Sequence, residues 1–264
     1  MDEKTTKRVL DESAKMLPSF SMNLTPPQNA TPMYQMISNL LEKDDLYKEE
    51  KEKSIKKAEE FVPSCKLKIE NSENPFLTAT KIAVAGNVID LASRFEFDLK
   101  TELEKILETK FSIDHTKELY EKLKKSTTIV YLGDNAGENV FDRIYIETLK
   151  TIFKDIKVYY FVRSSPIIND ITFSELKNDS INDIATLIDS GVKTPGLVYE
   201  DMSKEARVIF NKADCIISKG MGNFECLSEM KGYPIFFLLK VKCNVVADAI
   251  NSKLGDIICK NSQN

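Results

Sequence analysis

The chain has a single histidine, His115, no tryptophan and only nine glycines in 264 residues. One histidine rules out an all-histidine zinc site and an HExxH metalloprotease helix, and a serine or cysteine triad would rest wholly on His115. The five cysteines (Cys65, Cys215, Cys226, Cys243 and Cys259) show no CxxC spacing, which removes the usual structural zinc motifs. Their odd number, with no secretory signal in the polar start MDEKTTKRVLDESAK, fits free and mostly buried thiols in a reducing cytoplasm. No run of ~18 apolar residues exists to span a membrane. There is no excess of basic residues either. Lysine and arginine number 37 against 41 acidic residues, a net charge of −4 spread evenly along the chain. That excludes a general nucleic-acid surface while leaving room for a local basic pocket. Glycine is well below the usual ~7%, so its placement is informative. All nine glycines lie at or after Gly86.

The residues present divide the chain in two. Residues 1–125 read as a helical region. Thr31-Pro32 has the form of an N-cap followed by proline at the first helical position, with Met33, Met36, Ile37, Leu40 and Leu41 at helical spacing. Residues 46–62 are too charged for a core helix and predict a solvated one. Residues 76–93, apolar nearly all round, predict a central helix, with amphipathic helices near 96–109 and 115–125. No strand pattern stands out before residue 127. From there, TTIVYL (127–132), IKVYYF (156–161), DCIISK (214–219) and PIFFLLK (234–240) are short β-branched and aromatic runs. They alternate with helical stretches near 138–153, 180–188, 202–212 and 244–251. Continuous apolar strands alternating with helices imply a mostly parallel sheet covered on both faces. The expected fold is therefore a three-layer α/β/α domain over 126–264, preceded by a helical cap region over 1–125.

In such a sheet, ligands bind beyond the carboxyl ends of the strands. Four polar stretches follow the four runs. After the first come Gly133, Asp134, Asn135, Ala136, Gly137 and Glu138, and after the second Arg163 and then Asn169-Asp170. The third run is followed by Gly220, Met221, Gly222 and Asn223, and the fourth by Val241-Lys242-Cys243-Asn244. Asp134, Asn135 and Asp170 offer oxygen ligands suited to a hard divalent cation, and Asp134 or Asn135 suits equally the cap of the next helix. Lys219, Gly220, Gly222 and Asn223 have the makings of an anion cradle, or of a plain strand-to-helix turn. Lys240 ends an apolar strand, where an ammonium needs either a partner or a route to solvent. Asn87 and Asp90, three apart in the apolar central helix, either look into the site or join a network between helices.

The stretches AGNVID (85–90), GDNAGENVFD (133–142), PIINDIT (166–172) and KGMGNFE (219–225), followed by LLKVKC (238–243), occur in the order found in the domain-of-unknown-function 89 family, the metal-dependent damage-control phosphatases. TPPQNATPMYQMI (25–37) also resembles that family's N-terminal helical segment. The chain departs from it in having no cysteine before Cys65, whereas some microbial members begin with closely spaced cysteines. The resemblance spans nearly the whole chain. It implies a cytoplasmic phosphatase acting on small phosphorylated metabolites such as sugar phosphates, with Mg, Mn, Co or Ni and with neither nucleic acid nor membrane as partner. By motif, Asp134, Asn135 and Asp170 correspond to the metal ligands, and Asn87 and Asp90 to the GNxID element. Lys219 or Lys240, with Gly220 and Gly222, would face the phosphate. Arg163, Lys219 and loop amides, Asn223's loop among them, would stabilise the phosphoryl oxygens, with Glu138 as a candidate base. Ala136 stands where a haloacid-dehalogenase-type DxD run has its second acid, so direct attack by water is expected rather than an aspartyl-phosphate on Asp134. Two other readings are an S-adenosylmethionine-dependent methyltransferase and a non-catalytic metal- or phosphate-binding module. The first lacks a ribose-binding acid at the end of the second strand, where Val162-Arg163 stand.

Overall fold

The structure, a computed structural model, describes residues 2–86 and 99–263. Its first helices are α1 (Glu3–Met16), α2 (Pro26–Leu41), α3 (Lys48–Glu59), α4 (Val62–Glu70), α5 (Pro75–Gly86) and α6 (Leu99–Glu108). A sheet of seven strands follows: β1 (Ile113–Asp114), β2 (Thr128–Leu132), β3 (Lys157–Val162), β4 (Thr186–Asp189), β5 (Cys215–Lys219), β6 (Ile235–Lys240) and β7 (Ile257–Asn261). Between them lie α7 (Thr116–Leu123), α8 (Glu138–Ile152), α9 (Phe173–Leu176), α10 (Lys204–Asn211), α11 (Gly220–Leu227) and α12 (Asn244–Ala249). The strand order is β1-β7-β6-β5-β2-β3-β4, parallel throughout except for the β6–β7 pair. After β2 the chain builds outward through β3 and β4, then crosses back to lay β5 on the other side of β2. The strand order reverses there, and an α/β sheet opens its ligand crevice at such a point.

Period-two alternation divides the strand residues between two apolar layers. Ile129, Tyr131, Val158, Tyr160, Cys215, Ile217, Phe236 and Leu238 pack with α5 and α8. Val130, Leu132, Phe161, Ile216, Phe237 and Leu239 pack with α10, α11 and α12. The three-layer α/β fold expected from the sequence is thus present. Among the described residues no helix is long and apolar enough to cross a membrane, and all five cysteines are free.

Four local expectations need correction. Helix α2 starts at Pro26, not at Pro32. Thr25 caps it in a reciprocal box with Gln28, prolines fill the first positions, and Pro32 lies inside the helix. Residues 180–188 are a 3-10 turn (Ser180–Asp183) followed by β4 rather than a helix. A strand does precede residue 127: two-residue β1 pairs with β7 and puts a piece of the helical half into the sheet. Apart from these, one apolar cluster joins Phe76, Ala79, Ile82 and Ala83 of α5 to Ile144, Tyr145 and Leu149 of α8.

The fourth correction concerns α3, which is not solvated along its whole length. Lys51 is buried, its ammonium 2.6 Å from Asp45 and 2.7 Å from Glu175. It ties the loop after α2 to α9, and Arg143 on α8 holds Glu59, at the far end of α3, at 2.8 Å. Removing one member of a buried ion set leaves the others desolvated. Lys51→Met should lower the unfolding free energy by about 2–3 kcal/mol. Urea denaturation of the two proteins measures this, and an unchanged midpoint would deny the lysine that role.

Candidate active site

Asp134 and Asn135 follow β2, and Asp170 follows β3. Backbone hydrogen bonds clip the two loops together: Ile171 N–H donates to Asp134 O at 2.9 Å and Ala136 N–H to Asn169 O at 2.8 Å, with a bridge pairing Asn135 and Asp170. Neither Asp134 nor Asn135 caps α8. Its N-cap is Gly137, at φ 94°. All three expected donors instead line one cavity of about 250 Å³, with Asn169, Met221, Gly222 and Lys242 around them.

The turn from β5 into α11 closes against the same carboxylate. Gly220 has φ 74°, and a Cβ there would lie 1.9 Å from Asp134 Oδ2, so only glycine lets this turn pass beneath Asp134. Gly222 meets the carbonyl of Pro195 in the same way, at 2.1 Å from an added Cβ. These glycines serve close packing around the carboxylate, and Gly222 alone of the two reaches the cavity wall.

Lys219 is fully buried, and its Nζ donates to Asp142 Oδ1 at 2.7 Å and Glu138 Oε2 at 3.0 Å. This corrects the expectation that it faces a phosphate. Cys215, Ile217 and Lys219 alternate onto the α8 side of the sheet, where Glu138 and Asp142 stand one helical turn apart. Burial opposes the ammonium, but Asp142 and Glu138 outweigh it and raise its pKa. Asp142 also accepts from Tyr131 Oη at 2.6 Å and Tyr160 Oη at 2.8 Å. Glu138 accepts from Asn135 Nδ2 at 3.0 Å, and the same amide donates to Asp134 Oδ2 at 3.1 Å. That leaves the Asn135 side-chain oxygen as the acceptor on its other side. Glu138 is fully buried and absent from the cavity wall, so a part as general base gives way to one in bracing Asn135.

Arg163 is also buried, against the expectation that it meets the substrate. Its Nε donates to Asp170 Oδ2 at 2.8 Å, and an Nη reaches Asn223 Oδ1 at 2.9 Å. Asn223 accepts from Leu197 N–H as well and donates to the carbonyls of Gly133 and Lys219. It joins three loops and is not in the wall of this cavity. Lys240 pairs with Glu102 of α6 at 3.3 Å, as the alternation from Phe236 and Leu238 requires, and is not in the cavity wall. The lysine that is there is Lys242, two residues further on. Its signal was only that it belongs to one of the four loops. Asn87 and Asp90 lie outside the described residues. His115 stands apart from the site, its Nδ1 accepting from Asn261 N–H at 2.9 Å.

Four buried carboxylates (Asp134, Glu138, Asp142 and Asp170) accompany two buried cations (Arg163 and Lys219) in this cluster of described residues. Burial, then the neighbouring Glu138 and Asp170, push the Asp134 carboxyl well above the usual carboxylate range. Among the described residues no group of three His, Cys, Asp or Glu side chains forms a metal cage. The donors at hand are two carboxylates and an amide oxygen, a set that suits a hard cation keeping several waters.

The damage-control phosphatase ARMT1-like domain model matches residues 1–258. The chain belongs to that family. A damage-control phosphatase of Pyrococcus horikoshii is 37% identical over 96% of this chain and 88% of its own length. A damage-control phosphatase of Archaeoglobus fulgidus is 31% identical over 98% of this chain and 91% of its own length. The crystal structure of a DUF89 family protein from Pyrococcus horikoshii superposes with a TM-score of 0.90 at 34% identity, covering 99% of this chain and 91% of that one. Membership of this phosphatase family bears out the resemblance read from the ordered motifs.

The buried ammonium offers a direct check on how this family member holds its site. Lys219→Met strands Glu138 and Asp142 without their cation and should cost about 3–5 kcal/mol of stability. Chemical denaturation at neutral pH reads this, and a loss below 1 kcal/mol would show that the cluster does not depend on the lysine.

Proposed function

We propose that this protein is a divalent-cation-dependent phosphatase of small phosphorylated metabolites, sugar phosphates among them, working by direct attack of water. The observation that carries the reading is the convergence of Asp134, Asn135 and Asp170 on one cavity where the strand order reverses, with Lys242 on the same wall. The relatives' names support the phosphatase part, and the oxygen donor set supports Mg, Mn, Co or Ni over softer chemistry.

Asp134, Asn135 and Asp170 would hold the cation. When bound, it supplies Lewis-acid polarisation of a phosphoryl oxygen and a more acidic water. Asn135, its nitrogen fixed by Glu138 and Asp134, presents its oxygen in one orientation. Arg163 holds Asp170 in place from behind. Lys242 brings positive charge to the rim, where phosphoryl oxygens would lie. Asp134 and Asp170 are the acidic side chains among the described residues of the cavity wall. A proton leaving the attacking water therefore passes to one of them or to solvent.

Asp134→Asn and Asp170→Asn should each cut cation-stimulated phosphate release by roughly 10²–10³-fold, with the far-ultraviolet circular dichroism of the parent retained. The assay is a panel of phosphate esters after chelation and re-addition of Mg²⁺, Mn²⁺, Co²⁺ or Ni²⁺. Full turnover in chelator, or in either variant, would refute the proposal.

A further inference from the structure

A second and larger cavity, about 410 Å³, adjoins the first. Gln35 and Asn39 of α2 form one side, Asp45 and Leu46 another, and the stretch from Ser165 to Ile168 the third. Ile168 lines both cavities, so the two share a wall. Its φ is 44°, a left-handed backbone that a β-branched residue adopts only when its surroundings impose it. Here the turn from Asp170 N–H to Ile167 O and the bond from Ala136 N–H to Asn169 O impose it. The cavity is also braced from behind. Lys51 binds Asp45, in one wall, to Glu175, and Glu175 accepts from Thr172 at the base of the opposite loop.

Size and chemistry indicate what belongs there. The cavity around Asp134 is smaller than the ~300–1,000 Å³ of small-molecule sites, while its neighbour falls within that range. A hydrated cation and a phosphoryl group take up much of the first, and the rest of a larger ester extends past Ile168 into the second. Gln35 and Asn39 are one turn apart and share a helix face, and their amides make no hydrogen bond to other described residues. Pro166, Ile168 and Leu46 supply apolar surface beside them, Asp44 and Lys193 contribute one charge of each sign, and the third charged residue of the wall, Asp45, is neutralised by the buried Lys51. Paired donors and acceptors over an apolar floor, without net charge, match a neutral group bearing several hydroxyls.

We infer that this second cavity is the subsite for the alcohol part of the phosphoester, and that Gln35 and Asn39 are specificity-determining residues selecting a polyhydroxylated one. The inference rests on the phosphatase reading. It also gives α2 a direct part in substrate choice.

The test compares the parent with the double variant Gln35→Leu, Asn39→Leu, changes on a solvent-facing part of α2 that keep side-chain bulk. With ribose 5-phosphate, KM should rise about tenfold, the loss expected for two neutral hydrogen bonds, while kcat stays the same. With p-nitrophenyl phosphate, which has no hydroxyls to recognise, kcat/KM should stay within about twofold. Equal losses on both esters, or no change on either, would overturn the inference. If the parent does not cleave ribose 5-phosphate, the phosphatase reading itself fails only if the whole ester panel is inert, and calorimetric binding decides the subsite separately. A roughly tenfold weaker affinity of the variant for ribose 5-phosphate, with unchanged affinity for orthophosphate, supports it. Equal weakening for both ligands, or none, overturns it.

Discussion

An ammonium buried beneath the end of β5 fixes the geometry of the cavity above it. Lys219 has no route to water, so its charge survives only because Asp142 and Glu138 meet it on the face of α8. Asp142 spends its remaining acceptor capacity on Tyr131 and Tyr160, and Glu138 spends part of its own on Asn135. A continuous polar chain therefore runs from two stacked tyrosines in the core, through acid, lysine and acid, to the amide and carboxylate at the surface of the cavity. Low-dielectric surroundings strengthen every link of such a chain and make any missing member expensive. The orientation of Asn135 and Asp134 is thus set by packing several residues deeper than the site.

Asp170 is held by a different device. Its loop is clipped to the Asp134 loop by backbone hydrogen bonds, and its carboxylate leans on Arg163, which Asn223 fixes in turn. Two braces, one through Lys219 and one through Arg163, therefore bring two carboxylates to one cavity. The result is electrostatically costly, as the raised Asp134 carboxyl records. A fold bears such a cost where like charges serve a ligand of opposite sign. Gly220 belongs to the same constraint, since its left-handed backbone and missing Cβ make room for the Asp134 carboxylate.

The fold was largely legible because buried strands announce themselves: the runs beginning at Thr127, Ile156, Asp214 and Pro234 all became strands of the parallel part of the sheet. What escaped was short or locally ambiguous. β1 has two residues, too few for any periodic signal. β4 follows a 3-10 turn, and together they imitate one helical stretch. Thr31-Pro32 has the composition of a helix start, but Thr25 and Gln28 satisfy each other reciprocally and win. At the site, the loops and the three donors could be read from the order of strands and polar stretches. The roles of Lys219, Arg163, Asn223 and Glu138 could not, because composition shows that a side chain is polar and not which way it faces. For the two lysines the answer was nonetheless within reach. Positions 215, 217 and 219, like 236, 238 and 240, share one face of the sheet, and counting by twos places both ammonium groups on the helical side, facing Glu138 and Glu102.

The two cavities share Ile168 but otherwise draw on different parts of the molecule. The smaller one is made by loops whose geometry descends from the buried cluster on α8 and β5. The larger takes one whole side from α2, which contributes nothing to that cluster. A change on the exposed face of α2 leaves the Lys219 network intact, whereas a change in the network reaches Asp134 within three hydrogen bonds. Substrate choice is thereby separable from the machinery on the sheet. Lys51 sets the limit to that freedom, because it joins the loop after α2 to Glu175 and, through Thr172 and Arg163, to Asp170. Exposed side chains of α2 can change without disturbing the carboxylates, but the position of the loop that follows α2 is tied to them.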